Sequence, residues 1–218
     1  MSTSHAAAAP RLTPKGQATR ARIVAAAADL IYERGVANTT TDDVRAAAEV
    51  STSQIYHYFQ DKDALVQAVI AHQSQAVLDS QEPWLGRLDS LDALRAWRDL
   101  LVDQQRRRHS RGGCPIGSMA SELAETNEPA RTALTVEFER WEEPIRTGLR
   151  AMHQRGDLRP EADPDQLALA TLAAIQGGLL LTQMRRETAP LEAALDSVLT
   201  LIQALSPATP EHYSSAAQ

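Results

Sequence analysis

Three polar residues placed to start helices, Thr40, Ser51 and Asp61, fall in one short stretch, and only a compact run of short helices accommodates them. Thr40 has Asp43 three residues on, a capping-box-like spacing in which each side chain reaches the other's backbone N–H. Ser51 repeats the arrangement with Gln54, and Asp61 precedes a longer apolar run. Upstream, Ile23, Ala27, Leu30 and Ile31 fall on one helical stripe, and Gly35 sits where a C-terminal cap belongs. The spacing predicts helices from Thr19 to Gly35, from Thr40 to Glu49–Val50, over Thr52–Phe59, and from Lys62 to about Ser80. The second and third have helix-turn-helix spacing.

The Ser51–Phe59 segment must hold to a core on one side and offer polar groups on the others. Ile55 and Phe59, four residues apart, form the anchoring side. Thr52, Ser53, Gln54, Tyr56 and His57 supply the rest, of types that bond base edges or phosphate oxygens in a major groove. Lys62 adds a positive charge beside the free N–H groups of the next helix start. Thr40 and Thr41 can reach the other side of the groove. With the cap Ser51, these nine residues are the candidate DNA-binding set. A three-helix unit whose polar residues are merely solvated has the same spacing, so the pattern alone leaves both readings open.

Composition favours helices packed on helices: 43% of residues are apolar, only 4% aromatic, and Gly and Pro are sparse between the ends. The net charge of −6 argues against a nucleic-acid partner until the chain is divided. Residues 1–62 hold seven Lys/Arg and six Asp/Glu, a net of +1, which leaves −7 for the remainder. A weakly basic N-terminal third on an acidic body is compatible with DNA binding. A single cysteine, Cys114, precludes an internal disulfide and fits a reducing cytoplasm. No window is expected to reach a membrane span, and Met1–Pro10 lacks the pattern of a secretory signal.

Residues 1–18 read as a flexible arm and residues 206–218 as a flexible tail. Between them the expectation is all-α: a helix-turn-helix domain over 19–64, a connector helix to about 80, and a larger helical domain over 81–205. Further helices are expected at Leu91–Arg108, Pro115–Glu125, Pro129–Arg155, Pro164–Arg186 and Pro190–Leu205, four of them opening on proline.

Arg22–Ile70 resembles the DNA-binding domain of the tetracycline-repressor (TetR) family. The matching residues are Ile23–Ala26 with Gly35, the run Thr39 to Val44, Val50–Ser51, Ile55-Tyr56-His57-Tyr58-Phe59, and Lys62 with Leu65. Glu49 departs from the pattern, because the family usually has glycine in the turn before the recognition helix. If that position needs a positive φ, Glu49 carries strain on the order of 1 kcal/mol. The resemblance implies a homodimeric repressor, a pseudo-palindromic double-stranded operator, and a C-terminal domain whose small-molecule effector shifts the two reading heads out of register.

Pro164–Arg186 is apolar almost all round, with Gly177-Gly178 in its middle, where another helix should come close. With the last helix it offers a candidate dimer face: Leu172, Ile175, Gly178, Leu179, Leu195, Val198, Leu199 and Ile202. Burial within one chain would explain the same pattern. Candidate effector-binding residues are Trp97, Leu101, Cys114, Met119, Leu123, Phe138, Trp141, Ile145 and Gln176, for a small apolar or aromatic molecule. Plain core is the competing explanation for each. Cys114 opens a helix within Gly112-Gly113-Cys114-Pro115-Ile116-Gly117, where the helix dipole and nearby arginines favour the thiolate. The stretch resembles a branch of the family in which some members sense electrophiles or oxidants through such a cysteine. A small buried hydrophobe at a tight turn reads the same way.

The residues offer no catalytic constellation, no metal-ligand spacing among six histidines, and no cofactor motif. An enzyme would leave the Tyr56–Phe59 string without a purpose. A dimeric ligand carrier without DNA binding remains the third reading.

Overall fold

The structure is a computed structural model that describes residues 12–207. Most of the expected arm and tail therefore lies outside the described residues. Among those described there are nine α-helices and no strand: α1 Pro14–Arg34, α2 Thr41–Ala47, α3 Thr52–Tyr58, α4 Lys62–Asp79, α5 Leu91–Arg107, α6 Pro115–Leu123, α7 Glu128–Arg155, α8 Pro164–Arg185 and α9 Ala189–Ala204. A short 3-10 turn, Leu85–Arg87, leads into α5.

The helix starts follow from their caps. At α2 the Thr40 hydroxyl accepts the Asp43 N–H (3.2 Å) while the Asp43 carboxylate accepts the Thr40 N–H (2.9 Å). At α3 Ser51 and Gln54 make the same reciprocal pair. Asp61 caps α4 through the Ala64 N–H at 2.8 Å. α1 begins at Pro14, ahead of the expected Thr19, because Thr13 accepts the Gly16 N–H and proline suits the first turn. That turn carries no apolar stripe, so periodicity alone missed it.

α1 packs on α4, and α4 in turn on α6 and α7, so α4 ties the three-helix head to the body. α8 lies between α7 and α9. The core runs unbroken from Ile23 and Val69 through Ile145 and Leu149 to Ile175 and Leu191.

α8 corrects one expectation: the run Leu167–Met184 has no charged residue, and the helix is long and apolar enough, by length and composition, to cross a membrane. Its two faces explain this without a bilayer. One is buried against α7 and α9. The other is a stripe of exposed apolar residues.

Candidate functional site

The turn between α2 and α3 closes as a Schellman motif. Val50 N–H reaches Arg45 O (3.2 Å) and Glu49 N–H reaches Ala46 O (3.3 Å), which puts Glu49 at the left-handed position with φ 52°. The positive φ anticipated there is present. Arg22 on α1 fixes the same turn by donating to Ala48 O at 2.9 Å.

α3 then divides its faces. Ile55 and Phe59 are buried, while Thr52, Ser53, Gln54, Tyr56 and His57 are exposed, Tyr56 at 58%. Gln54 uses its carbonyl on the Ser51 N–H (2.8 Å), which leaves its amide N–H groups free. Thr40 is exposed and Thr41 half-buried at the start of α2. The Thr40 hydroxyl and backbone N–H, with Arg34 nearby, hold the Asp43 carboxyl below its ordinary pKa. Lys62 is not wholly free: its ammonium donates to Val36 O at 2.9 Å, so it also braces the turn after α1. The sequence reasoning missed the start of α1, which lies beside Tyr58 of α3; a Cβ on Gly16 would meet the Tyr58 hydroxyl at 3.4 Å. Thr13-Pro14 was the available signal.

The body encloses a cavity of about 90 Å³ between α4, α5, the start of α6, and α7 to α9. Of the nine candidate effector residues, Leu101, Cys114 and Trp141 line it. Phe138 and Gln176 line a separate, more open hollow outside α6 and α8, and Met119 a groove between α1 and α6. Trp97, Leu123 and Ile145 belong to the packed core instead. Trp97 is held there by its indole N–H on Gln81 Oε1 (2.9 Å), an oxygen that also accepts the Trp141 indole (3.2 Å). Ile175 and Leu179, expected at the dimer face, line the cavity.

Cys114 does open α6, and its sulfur accepts the Gly117 N–H at 3.3 Å. The expectation of easy ionisation is overturned. Burial pushes the thiol's pKa up, and the Gly117 N–H, the Gln176 amide and the charge of Arg108 offset this only in part. Desolvation outweighs the helix dipole here.

Among the hydrogen bonds that join this body to the head, two sets come from α6 and from the cavity wall. Glu122 of α6 accepts the backbone N–H groups of Val36 (2.8 Å) and Ala37 (2.5 Å) in the turn between α1 and α2. Gln73 of α4, on the cavity wall, donates to Ala28 O of α1 (3.3 Å). Neither has a signal in sequence, because both meet residues distant along the chain.

Most residues expected at the dimer face turn inward in the single chain. Leu172, Ile175, Gly178, Leu179, Leu195 and Ile202 are buried inside this chain, and Val198 and Leu199 half-buried. Gly178 is where α8 meets α9, since a Cβ there would lie 3.0 Å from Leu191 Cα. The outward stripe of α8 is Leu169, Ala173, Gly177, Leu180, Leu181 and Met184, and Gly177 faces open space.

A capped reading helix, carried by α4 on a helical body with an internal cavity, defines a helix-turn-helix transcriptional regulator. The comparisons with known proteins narrow this. Residues 23–69 match the family model "Bacterial regulatory proteins, tetR family", and residues 90–198 match "Tetracyclin repressor-like, C-terminal domain". A TetR transcriptional regulator from Chloroflexus aurantiacus is 31% identical, with a TM-score of 0.76 over 89% of this chain and 98% of that one. The transcriptional repressor DhaR of Mycobacterium sp. (strain GP1) is 29% identical, with 87% of this chain and 93% of that protein covered. The transcriptional regulator AcuR of Cereibacter sphaeroides is 27% identical over 84% and 85%. The reduced form of Escherichia coli NemR, 24% identical with a TM-score of 0.75 over 88% of this chain and all of that one, shares the fold. The chain belongs to the tetR family of bacterial transcriptional regulators.

Proposed function

We propose that this protein is a cytoplasmic repressor that binds a pseudo-palindromic operator as a homodimer and releases it when a small apolar or aromatic effector occupies the cavity between α4 and α9. The observation that carries the reading is the division of α3: Ile55 and Phe59 hold it to the core while Thr52, Ser53, Gln54, Tyr56 and His57 stay exposed. Thr40, Thr41 and the remaining donors of Lys62 flank it. The homodimer forms through the outward stripe of α8, whose Leu180 and Met184 are 59% and 74% exposed in the single chain. Contiguous exposed apolar residues of this kind mark interaction surfaces. Gly177 lets the partner's helix approach closely.

Coupling follows from the two links described above. An effector that binds better in the non-operator conformation shifts α6 at Cys114, and Glu122 transmits this to the turn holding Thr40 and Thr41. The Gly-Cys-Pro start of α6 is what supports placing the chain in the matching branch of the family. A thiol-switch reading has less support, because Cys114 is buried and its pKa raised. The test is titration of the duplex upstream of the protein's own gene at low salt. Specific, salt-sensitive binding is expected, and no binding at low salt overturns the proposal.

A further inference from the structure

Four glutamines line the cavity, and three of them are occupied. Gln73 donates to Ala28 O, Gln104 to Ser80 O (2.6 Å), and Gln81 to Val77 O (3.0 Å) while accepting two indoles. Gln105 differs. Its backbone carbonyl accepts the Ser110 N–H (2.8 Å), but its side-chain amide has no partner among the described residues, although the residue is only 5% exposed. Its amide atoms are not sealed in the core but open onto the cavity, where they are placed to bond a ligand.

Arg108 lies three residues on, on the same side of α5, at the cavity's solvent edge. Its neighbours Arg106 and Arg107 pair with Asp103, and Arg106 also with Glu192. Arg108 has no ion pair among the described residues; Asp29 shares a neighbouring groove with it but is not within pairing distance. Among the described residues no carboxylate lines the cavity itself. A guanidinium has only donors to give, and an amide offers two more. Beside the other three glutamines and Ser80, whose polar groups are engaged, the wall is apolar, including Val77, Leu101, Trp141, Ile175 and Leu179.

We infer that the effector is a small monocarboxylate, its acid group accepting from Arg108 and from the Gln105 amide and its apolar body turned towards Trp141. The inference rests on the reading of this cavity as the effector site. A dry cavity of ~150 Å³ holds a benzene molecule, so at about 90 Å³ this one takes an apolar body of roughly four non-hydrogen atoms, with the acid group at the open edge beside Arg108. Carboxylate is the head group that suits a guanidinium best, since it can accept two parallel N–H bonds.

The experiment compares butanoate with 1-butanol, and pentanoate with 1-pentanol, by calorimetric titration of the full-length protein. Arg108→Gln and Gln105→Leu variants are titrated in parallel. The acids should bind, with the matched alcohols roughly tenfold weaker or worse. Arg108→Gln should weaken the acids and leave the alcohols unchanged, while Gln105→Leu should weaken the acids and favour the alcohols. Unaltered thermal unfolding of Arg108→Gln, whose side chain is exposed, shows that the fold is intact. Equal binding of acids and alcohols, binding by neither, or acid affinity indifferent to Arg108→Gln would each overturn the inference. Operator binding by the ligand-free protein is measured separately; its loss would count against the repressor reading, and its presence beside failed acid binding would remove the carboxylate alone.

Discussion

Replacement of Glu49 by glycine should stabilise the protein. Glu49 is the left-handed residue of the Schellman closure after α2, with φ 52°, and its side chain is exposed and makes no hydrogen bond among the described residues. An L-residue held there costs roughly 1–2 kcal/mol, which glycine avoids because it has no Cβ. Glycine in turn loses more backbone entropy on folding, about 0.5–1 kcal/mol. The difference leaves ~0.5–1 kcal/mol in favour of Glu49→Gly, an increase in Tm of about 1–4 °C for a chain of this size. Thermal unfolding followed by far-ultraviolet circular dichroism at a fixed protein concentration reads it. Glu49→Ala is the control: it removes the carboxylate but keeps the Cβ, and should stay within about 0.5 kcal/mol of the parent. A fall in Tm for Glu49→Gly, or an equal rise for Glu49→Ala, would refute the strain argument.

Leu180→Glu should yield a folded monomer by sedimentation, since Leu180 is 59% exposed and no core contact is lost; a persistent dimer would remove α8 from the interface. Glu122→Ala leaves the buried Val36 N–H without its acceptor and should cost about 1–3 kcal/mol, lowering Tm and operator affinity together. Unchanged values for both would show that the link carries nothing. Cys114 should react slowly with iodoacetamide at neutral pH and faster only above the ordinary thiol range, because its raised pKa keeps it protonated; rapid labelling at neutral pH would restore the thiol-switch reading.

The helical framework was legible in sequence because its signals are local. Thr40 with Asp43, Ser51 with Gln54, Asp61 and the helix-opening prolines each act within one turn of themselves. The division of α3 was legible for the same reason, since Ile55 and Phe59 are one turn apart. The faces of α8 were not. Leu172, Ile175 and Leu179 form one apolar stripe and Leu169, Ala173 and Leu180 another, and only the packing of α7 and α9 decides which is outward. The cavity was half read for a related reason: aromatic and aliphatic residues drew attention, whereas the cavity-lining Gln105 has no pattern of its own. At Cys114 two local effects oppose each other, and the sequence does not reveal burial deep enough to reverse the helix dipole.

The central claim, that α3 reads DNA, is tested most directly by selecting duplexes from a random pool and titrating the winner with the protein and with a Ser53→Ala, Tyr56→Ala double variant. Both positions are exposed, so the fold should be unaffected. The account predicts an enriched pseudo-palindrome with half-sites on the order of one helical turn, ~34 Å, apart. It also predicts affinity that falls steeply with salt, and loss of that sequence's advantage over random DNA in the double variant. No enriched sequence, or a double variant that discriminates as well as the parent, would contradict it.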